Sequence, residues 1–207
     1  DSGGYCDPVT LSDGRVVLTP SSETSIVIYD PSSGAVDMVD VSAVVGAAPV
    51  EVFMGAALAS NGLGVMSPYK SDYIGIFDPA SSSFSTVAVP YVKTAYVGAA
   101  ATANGLVVFA PGKASGVGVF DATSRTFTTV ETGSTSGGRK FCGAATAGNG
   151  LVVMAPMRES SVGVFDPLSL TYSAVDISGV ETERDKYWGA TTAPSGVVVF
   201  APWKAPT

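Results

Sequence analysis

Short apolar runs alternate with turn residues along the whole chain. Runs such as "LVVFAP" and "GVGVF" are bounded by Asn-Gly, by Pro or by Asp-Pro. No segment of helical length carries an apolar period of about 3.6 residues, and Gly and Pro interrupt the chain too often for long helices. The pattern therefore predicts a protein built from β-strands, and a helical solenoid is excluded.

The same pattern is repeated along the chain. The segment at 104–122, "NGLVVFAPGKASGVGVFDA", has near copies that begin at residues 13, 61, 149 and 195. The turn glycines are separated by 48, 43, 45 and 46 residues, and the repeat prolines have identical spacings. These landmarks are Gly14, Gly62, Gly105, Gly150 and Gly196, with Pro20, Pro68, Pro111, Pro156 and Pro202. Periods in this range are typical of propellers, solenoids and arrays.

Each copy predicts four antiparallel strands. The first, "FMGAALA", is rich in small residues, which suits a crowded place where backbones approach closely. The Asn-Gly pair predicts a two-residue hairpin, and the apolar "LVVFAP" predicts a second strand buried on both faces. The third strand, "VGVFDP", ends in an Asp-Pro turn, and "TFTTVET" alternates like an outer strand. Four such strands form one propeller blade.

The sequence therefore predicts an all-β fold, a β-propeller of four-stranded antiparallel blades. We expect a single domain over residues 1–207, with repeats at 5–51, 52–94, 95–139 and 140–185 and a partial repeat at 186–207. Two arrangements stay open, namely five blades with an incomplete last blade, or a fragment of a larger propeller. The last strand would then expose an unpaired edge.

The block "VVFAPGKASGVGVFDATSRTFTTV" resembles the YVTN-type repeat of β-propellers. The "F-x-G-A" opening of each copy, followed by "N-G", is similar to propeller repeats in proteins of algae and other protists. The resemblance covers essentially the whole chain and implies the propeller fold. It implies little about function, because such families mix binding modules with a few enzymes. The double glycine of kelch repeats and the Trp-Asp pair of WD repeats are missing.

Composition narrows the function classes. Hydrophobic residues make up 46% of the chain, which excludes disorder and predicts a soluble globular protein. A net charge of −7 disfavours nucleic acid and anionic membrane surfaces as partners. The chain has no histidine, which removes the commonest general base and metal ligand, and we expect no cofactor and no metal. No apolar run reaches the roughly 18 residues of a transmembrane segment, and nothing indicates the compartment.

Basic residues recur at one position of the repeat. The residue two after the repeat proline is basic in four of five copies: Lys70, Lys113, Arg158 and Lys204. Loops leading into the first strands add Lys93, Arg139, Lys140, Arg184 and Lys186, so we expect nine of the eleven basic residues on one face. Such a ring suits an anionic ligand, with Tyr69 and Trp203 as exposed contact residues. The alternative is solvated turn residues, since the same loops carry Glu23, Asp72, Glu159, Glu181, Glu183 and Asp185.

Three other repeated sets favour a structural interpretation. The carboxylates Asp30, Asp78, Asp121 and Asp166 suit turn capping better than a cation ring. Cys6 and Cys142 share a register with Met, Val and Trp, which predicts free, buried thiols. An aromatic residue begins each first strand, which predicts packing between blades: Tyr5, Phe53, Tyr96, Phe141 and Tyr187.

These observations favour a non-catalytic binding or scaffold module for another protein or a small anionic ligand. The copies are alike, and no residue cluster breaks the repeat in the way that an asymmetric active site does. Two alternatives remain at this point. One is a peripheral subunit of a larger assembly, algal and membrane-associated if the resemblance is followed. The other is a propeller hydrolase or lactonase that acts on an anionic substrate.

Overall fold

The computed structural model describes residues 4–134 and 137–205. Within these ranges lie one short helix, α1 (Ser42–Val45), and the following strands: β1 (Tyr5–Thr10), β2 (Val16–Pro20), β3 (Ser25–Tyr29), β4 (Val36–Asp40), β5 (Phe53–Leu58), β6 (Gly64–Pro68), β7 (Tyr73–Asp78), β8 (Ser83–Ala88), β9 (Tyr96–Ala101), β10 (Leu106–Pro111), β11 (Gly116–Asp121), β12 (Thr126–Glu131), β13 (Phe141–Thr146), β14 (Val152–Pro156), β15 (Ser161–Asp166), β16 (Thr171–Asp176), β17 (Tyr187–Thr192) and β18 (Val198–Pro202). No helix in the described part of the chain is long and apolar enough to cross a membrane.

The strands form five sheets in chain order. Four sheets have four antiparallel strands each, and β17 pairs with β18 in a fifth, two-stranded sheet. The first strand of each sheet packs on the first strand of the next, from β1 through β5, β9 and β13 to β17. The described residues show no comparable packing of β17 on β1. The prediction of a β-propeller with an incomplete last blade is confirmed, and the inner strands lie along an arc that lines a central channel.

Glycines hold the inner strands against one another. Gly55, Gly98 and Gly143 have φ values of 113°, 96° and 107°, in a region that side chains rarely adopt. A Cβ atom on Gly98 would lie 2.6 Å from the Cα atom of Gly143. The corresponding distance from Gly55 to Gly98 is 2.5 Å. Glycine is therefore required here by both the backbone conformation and the neighbouring blade.

The Asn-Gly hairpins differ from the predicted two-residue turn. In the second blade, the amide of Gly62 donates to the carbonyl of Ala59, and the amide of Ala59 donates to the carbonyl of Leu63. Only the glycine has a positive φ, 85° at Gly62. This is a three-residue loop, a turn followed by a left-handed glycine, and all five copies have it. The asparagine instead faces outward, and the Asn61 amide donates to the carbonyl of Ala122 in the next blade at 3.0 Å.

The Asp-Pro turns are capped as predicted. Each aspartate accepts a hydrogen bond at 2.8–2.9 Å from the amide two residues later, at Asp30, Asp78, Asp121 and Asp166. These bonds lower the pKa of all four carboxyl groups, together with bonds from nearby serine hydroxyls. The aspartates therefore fix the turns between third and fourth strands.

The inner-strand aromatic residues pack both within their own blades and against the preceding blade. The ring of Tyr96 lies 6.0 Å from that of Phe127 on the outer strand, edge to face. It covers Gly118 of the third strand, where a Cβ atom would lie 2.9 Å from the ring. Phe53 and Phe141 are fully buried in the same way. Glycines of the third strands leave room for these rings. Phe53, Tyr96 and Phe141 also each share a buried cluster with residues of the preceding blade, so the expectation of packing between blades is confirmed for these three.

The loops at the other end of the blades from the Asp-Pro turns carry a continuous chain of backbone hydrogen bonds around the arc. We call this face, formed by the loops between second and third strands and the leading loops into inner strands, the upper face. The N···O distances are 2.7–3.0 Å, and the bonds connect, in order, Gly4, Ser21, Val52, Tyr69, Ala95, Gly112, Lys140, Met157, Lys186 and Trp203. The chain of bonds positions the residues that flank it, which include the basic set.

We predict that Gly150→Val lowers the free energy of unfolding by about 1–2 kcal/mol, because a β-branched residue resists a positive φ. The φ of Gly150 is 85°, and no atom lies within 4 Å of its Cβ position, so the loss reports backbone strain alone. Urea unfolding measures it.

Gly179→Val is the matched control, since Gly179 is exposed and equally unobstructed. Gly150→Asn should recover most of the loss, because asparagine tolerates this conformation. Equal stability of the Gly150→Val and Gly179→Val variants would show that the hairpin assignment is wrong.

Candidate functional site

Two loop positions face each other on the upper face of each blade. One is the basic position two after the repeat proline. The other lies two residues before the aromatic residue that begins the inner strand, and it is occupied by Glu51, Thr94, Arg139 and Asp185 in the second to fifth blades. Two blades therefore offer a carboxylate to the basic position, and two do not. The upper face has five cations and two carboxylates in these positions, with the excess at the third and fourth blades.

The ion pairs follow this distribution. Lys70 pairs with Glu51 within the second blade. Arg158 has Arg139 instead of a carboxylate at the facing position of its own blade. It reaches the next blade, where its Nε lies 2.8 Å from Oδ1 of Asp185. The Nζ atom of Lys204 lies 3.4 Å from the other oxygen of Asp185. Arg158 and Lys204 thus share one carboxylate, whose pKa they hold below its ordinary value.

Lys113 differs from these three residues. Its side chain is exposed. Within residues 4–134 and 137–205 its ammonium forms no ion pair, since Thr94 stands where a carboxylate stands in other blades. The structure thus joins Arg158 to Lys204 and leaves Lys113 to solvent.

Arg139 lies at the upper mouth of the channel. Its guanidinium donates a hydrogen bond to the hydroxyl of Tyr69, from the second blade. The guanidinium carbon lies 5.3 Å from the ring centre of Tyr69 and 5.6 Å from that of Trp188. Arginine stacked on aromatic rings keeps its edge donors available to a planar anion. No ion pair to Arg139 is present among the described residues.

The two aromatic candidates have different environments. Trp203 is 62% exposed, as expected for a contact residue, and its ring lies 5.7 Å from that of Trp188. Tyr69 is fully buried, so the expectation that it is an exposed contact residue was wrong. Its ring packs with Val97, Cys142 and Met157 in a cluster at the channel. It holds Arg139 in place rather than meeting a partner directly, and burial raises its pKa.

Two of the expected surface cations are buried. Lys140 and Lys186 have exposed fractions of 2% and 3%. Both belong to the chain of backbone hydrogen bonds, and the ammonium of Lys186 donates to the carbonyl of Glu183 at 3.0 Å. Burial lowers the pKa of both amines. They do not contribute to a cationic surface, so at most seven of the nine basic residues expected on this face can meet a ligand there.

The channel contains two small cavities. The lower one has a volume of about 200 Å³ and is lined by glycines and alanines of the inner strands, together with Asp7 and Pro8. The upper one, of about 70 Å³, is lined by Cys6, Met54, Val97, Cys142 and Trp188, and again by Asp7. Partial loss of solvation by the surrounding protein atoms raises the pKa of the Asp7 carboxyl group, although the residue is exposed.

Both thiols are free, as predicted, with Cys142 buried and Cys6 half-buried. Burial raises the pKa of Cys6 to about 11 and that of Cys142 to about 12. No three His, Cys, Asp or Glu side chains are grouped to hold a metal ion in the described part of the chain.

Sequence reasoning missed Asp7, the residue of the first blade in the register of Gly55, Gly98, Gly143 and Gly189. The signal was present, since one carboxylate replaces four glycines. Arg139 was treated as one of many surface cations because its partners come from distant blades. The contact with Tyr69 joins residues 70 positions apart, which no local pattern indicates.

No protein-family model and no curated protein matches the sequence. Among solved structures, the chain is similar to a catalytically inactive virginiamycin B lyase from Staphylococcus aureus with quinupristin. The TM-score is 0.80 at 13% identity, over 98% of this chain and 65% of that chain. For a streptogramin B lyase the TM-score is 0.77 at 16% identity, over 96% of this chain and 62% of that chain. For the WD40 repeats of RRP9 the TM-score is 0.63 at 15% identity, over 82% of this chain and 50% of that chain.

The chain thus spans less than two thirds of the length of each of these three proteins. At such low identities the likeness concerns the fold, which is that of a β-propeller. It does not show that this chain has lyase activity or binds any particular partner.

We predict that both thiols react slowly with iodoacetamide in the native state and quickly in urea. Raising the pKa by one unit lowers the thiolate fraction about tenfold. Cys142 should therefore react at least about tenfold more slowly than Cys6. Peptide mass spectrometry after timed quenching distinguishes the two sites. Fast native labelling of Cys142 would contradict its buried position in the channel wall.

Proposed function

We propose that the chain is a binding module whose upper face receives an acidic segment of a partner protein. The candidate contact residues are Lys70, Lys113, Arg158, Lys204, Tyr69 and Trp203, with Tyr69 in a supporting position beneath the surface. The observation that supports the proposal is the local excess of cations over carboxylates at the third and fourth blades. An otherwise acidic chain keeps this excess at one place.

The excess is positioned to act on a partner. Lys113 is free of carboxylates in the described structure, and Arg158 and Lys204 together exceed the charge of Asp185. Exposed cations of this kind mainly raise the association rate and make binding depend on salt. The exposed ring of Trp203 adds an aromatic surface beside Lys204, and such rings are common at protein interfaces.

The repeats support a binding module in a second way. We infer from the resemblance to YVTN-type repeats that the blades form a scaffold whose loops carry specificity. The chain of backbone hydrogen bonds fixes the loop backbones without using the side chains at the basic position. Those side chains can therefore vary between copies, as Ser22 does in the first blade, without loss of the fold.

We predict that Lys113→Glu combined with Lys204→Glu weakens the binding of a fluorescent polyglutamate peptide by about tenfold, or about 1.4 kcal/mol. The salt dependence should become shallower, because fewer cations contact the peptide. Fluorescence anisotropy at several salt concentrations measures both effects. The melting temperature should stay nearly constant, since both residues are exposed.

Arg15→Glu combined with Arg125→Glu is the matched control, because both arginines lie in loops on the opposite face. It changes the net charge in the same direction and should weaken binding much less. If the upper-face and lower-face variants lose equal affinity for the peptide, overall charge explains the effect. That result would contradict the proposed site. Absence of peptide binding to the unmodified chain at low salt would also contradict it.

A further inference from the structure

The two cavities of the channel adjoin, and we call them together the lumen. Both are lined by Asp7 and by the inner-strand residues Gly98, Gly143 and Gly189. The lower part, about 200 Å³, has walls of glycine and alanine, so mainly backbone faces it. The upper part, about 70 Å³, has walls of larger apolar side chains. A ligand that enters this lumen meets a polar end and an apolar end.

Opposite charges flank the lumen. Asp7 lines both parts, and Arg139 is held at the upper mouth by Tyr69 and Trp188. Trp188 also lines the upper part, so it connects the guanidinium to the cavity wall. Asp7 and Arg139 do not pair with each other in the described structure. Each charge is therefore able to bind a group of opposite sign on a ligand.

Both charges shift the pKa of the Cys142 thiol. The guanidinium of Arg139 lowers its pKa, while the carboxylate of Asp7 raises it, against the larger effect of burial. Electrostatic effects of this kind fall off steeply with distance. Both charges therefore act across the upper part of the lumen, where Cys142 forms the wall together with Met54 and Val97.

The carboxylate is a departure from the repeat. Four copies have glycine in this register, where the φ values of 96° to 113° favour glycine. Asp7 itself has a φ of 34°, still in the region that glycine adopts best. An aspartate at this position disfavours the fold relative to glycine, and nothing else in its packing requires a carboxylate. A charged ligand explains why the one exception to the glycine rule points into the channel.

We propose that the lumen binds a small zwitterion, an α-amino acid with a short apolar side chain. Its carboxylate binds the edge donors of Arg139, its ammonium binds Asp7, and its side chain contacts Met54, Val97 and Cys142. A planar carboxylate matches the guanidinium fork, and a single ammonium matches a single aspartate. This site shares Arg139 with the cation excess of the upper face, but it does not use Lys113, Arg158 or Lys204.

The test uses L-valine and two analogues that each lack one charge. The analogue 3-methylbutanoate lacks the ammonium, and 2-methylpropylamine lacks the carboxylate. Isothermal titration of the reduced chain should detect valine binding, and each analogue should bind at least about tenfold more weakly, because one charge in the lumen is left unpaired. Absence of valine binding at millimolar concentration, or equal binding of all three compounds, would overturn the proposal.

Variants assign the charges. Asp7→Gly restores the residue found in the other copies and is expected to fold at least as well. It should make valine bind no better than 3-methylbutanoate. Arg139→Gln should make valine bind no better than 2-methylpropylamine. Retention of full valine preference in the Asp7→Gly variant would overturn the proposal even if the Arg139 variant loses stability.

The two binding proposals fail independently. Lys113→Glu should leave valine binding unchanged, since Lys113 lines neither cavity. Asp7→Gly should leave polyglutamate binding unchanged or slightly stronger. Loss of polyglutamate binding alone would contradict the upper-face site and leave the lumen site intact, and the reverse result would do the opposite.

Discussion

The close contact of glycines on successive inner strands sets the geometry of this protein. At Gly55, Gly98 and Gly143 the backbones approach so closely that a single Cβ atom would overlap the next strand. The positive φ of these residues also coincides with a shift in strand pairing, as between Phe53 and Ala56. Blades that meet backbone to backbone leave a narrow channel with small walls. Every other feature of the channel depends on this spacing.

Groups that are the same in every repeat build the propeller, and side chains that differ between repeats lie in the channel and on the upper face. Backbone hydrogen bonds and inner-strand glycines use groups that are the same in every copy. Side chains in the loops and in the register beside each glycine are then free to differ. The differences are concentrated where ligands have access, with Lys113 and Arg139 on the upper face and Asp7 in the channel. The repeated part forms the propeller framework, and the departures from it are the residues on which the two binding proposals rest.

The sequence predicted the fold because the signals for it are local and repeated. Strand order, turn capping by aspartate and the small inner strand all follow from residues within one repeat. The hairpin was predicted one residue too short, because Asn-Gly suits both a two-residue and a three-residue loop and only the hydrogen bonds decide between them.

The candidate site was less predictable because it depends on contacts between repeats. Tyr69 looked exposed beside a basic loop, yet the register of neighbouring blades buries it under Arg139. The pairing of Arg158 with Asp185 crosses from one blade to the next for the same reason. Such contacts depend on the rotation between blades, which composition and spacing do not encode. Asp7 was visible in the sequence but had no meaning until its register was shown to line the channel.

Glycine contacts between blades, and not glycine conformation alone, hold the arc together. Gly98 and Gly189 share the same conformation, with φ values of 96° and 102°, but no atom lies within 4 Å of the Cβ position of Gly189. Urea unfolding of Gly98→Ala and Gly189→Ala therefore separates the two effects. We expect Gly98→Ala to lose about 1–3 kcal/mol more stability, the usual range for overpacking. Equal losses would contradict the claim, because strain of the backbone would then explain both variants.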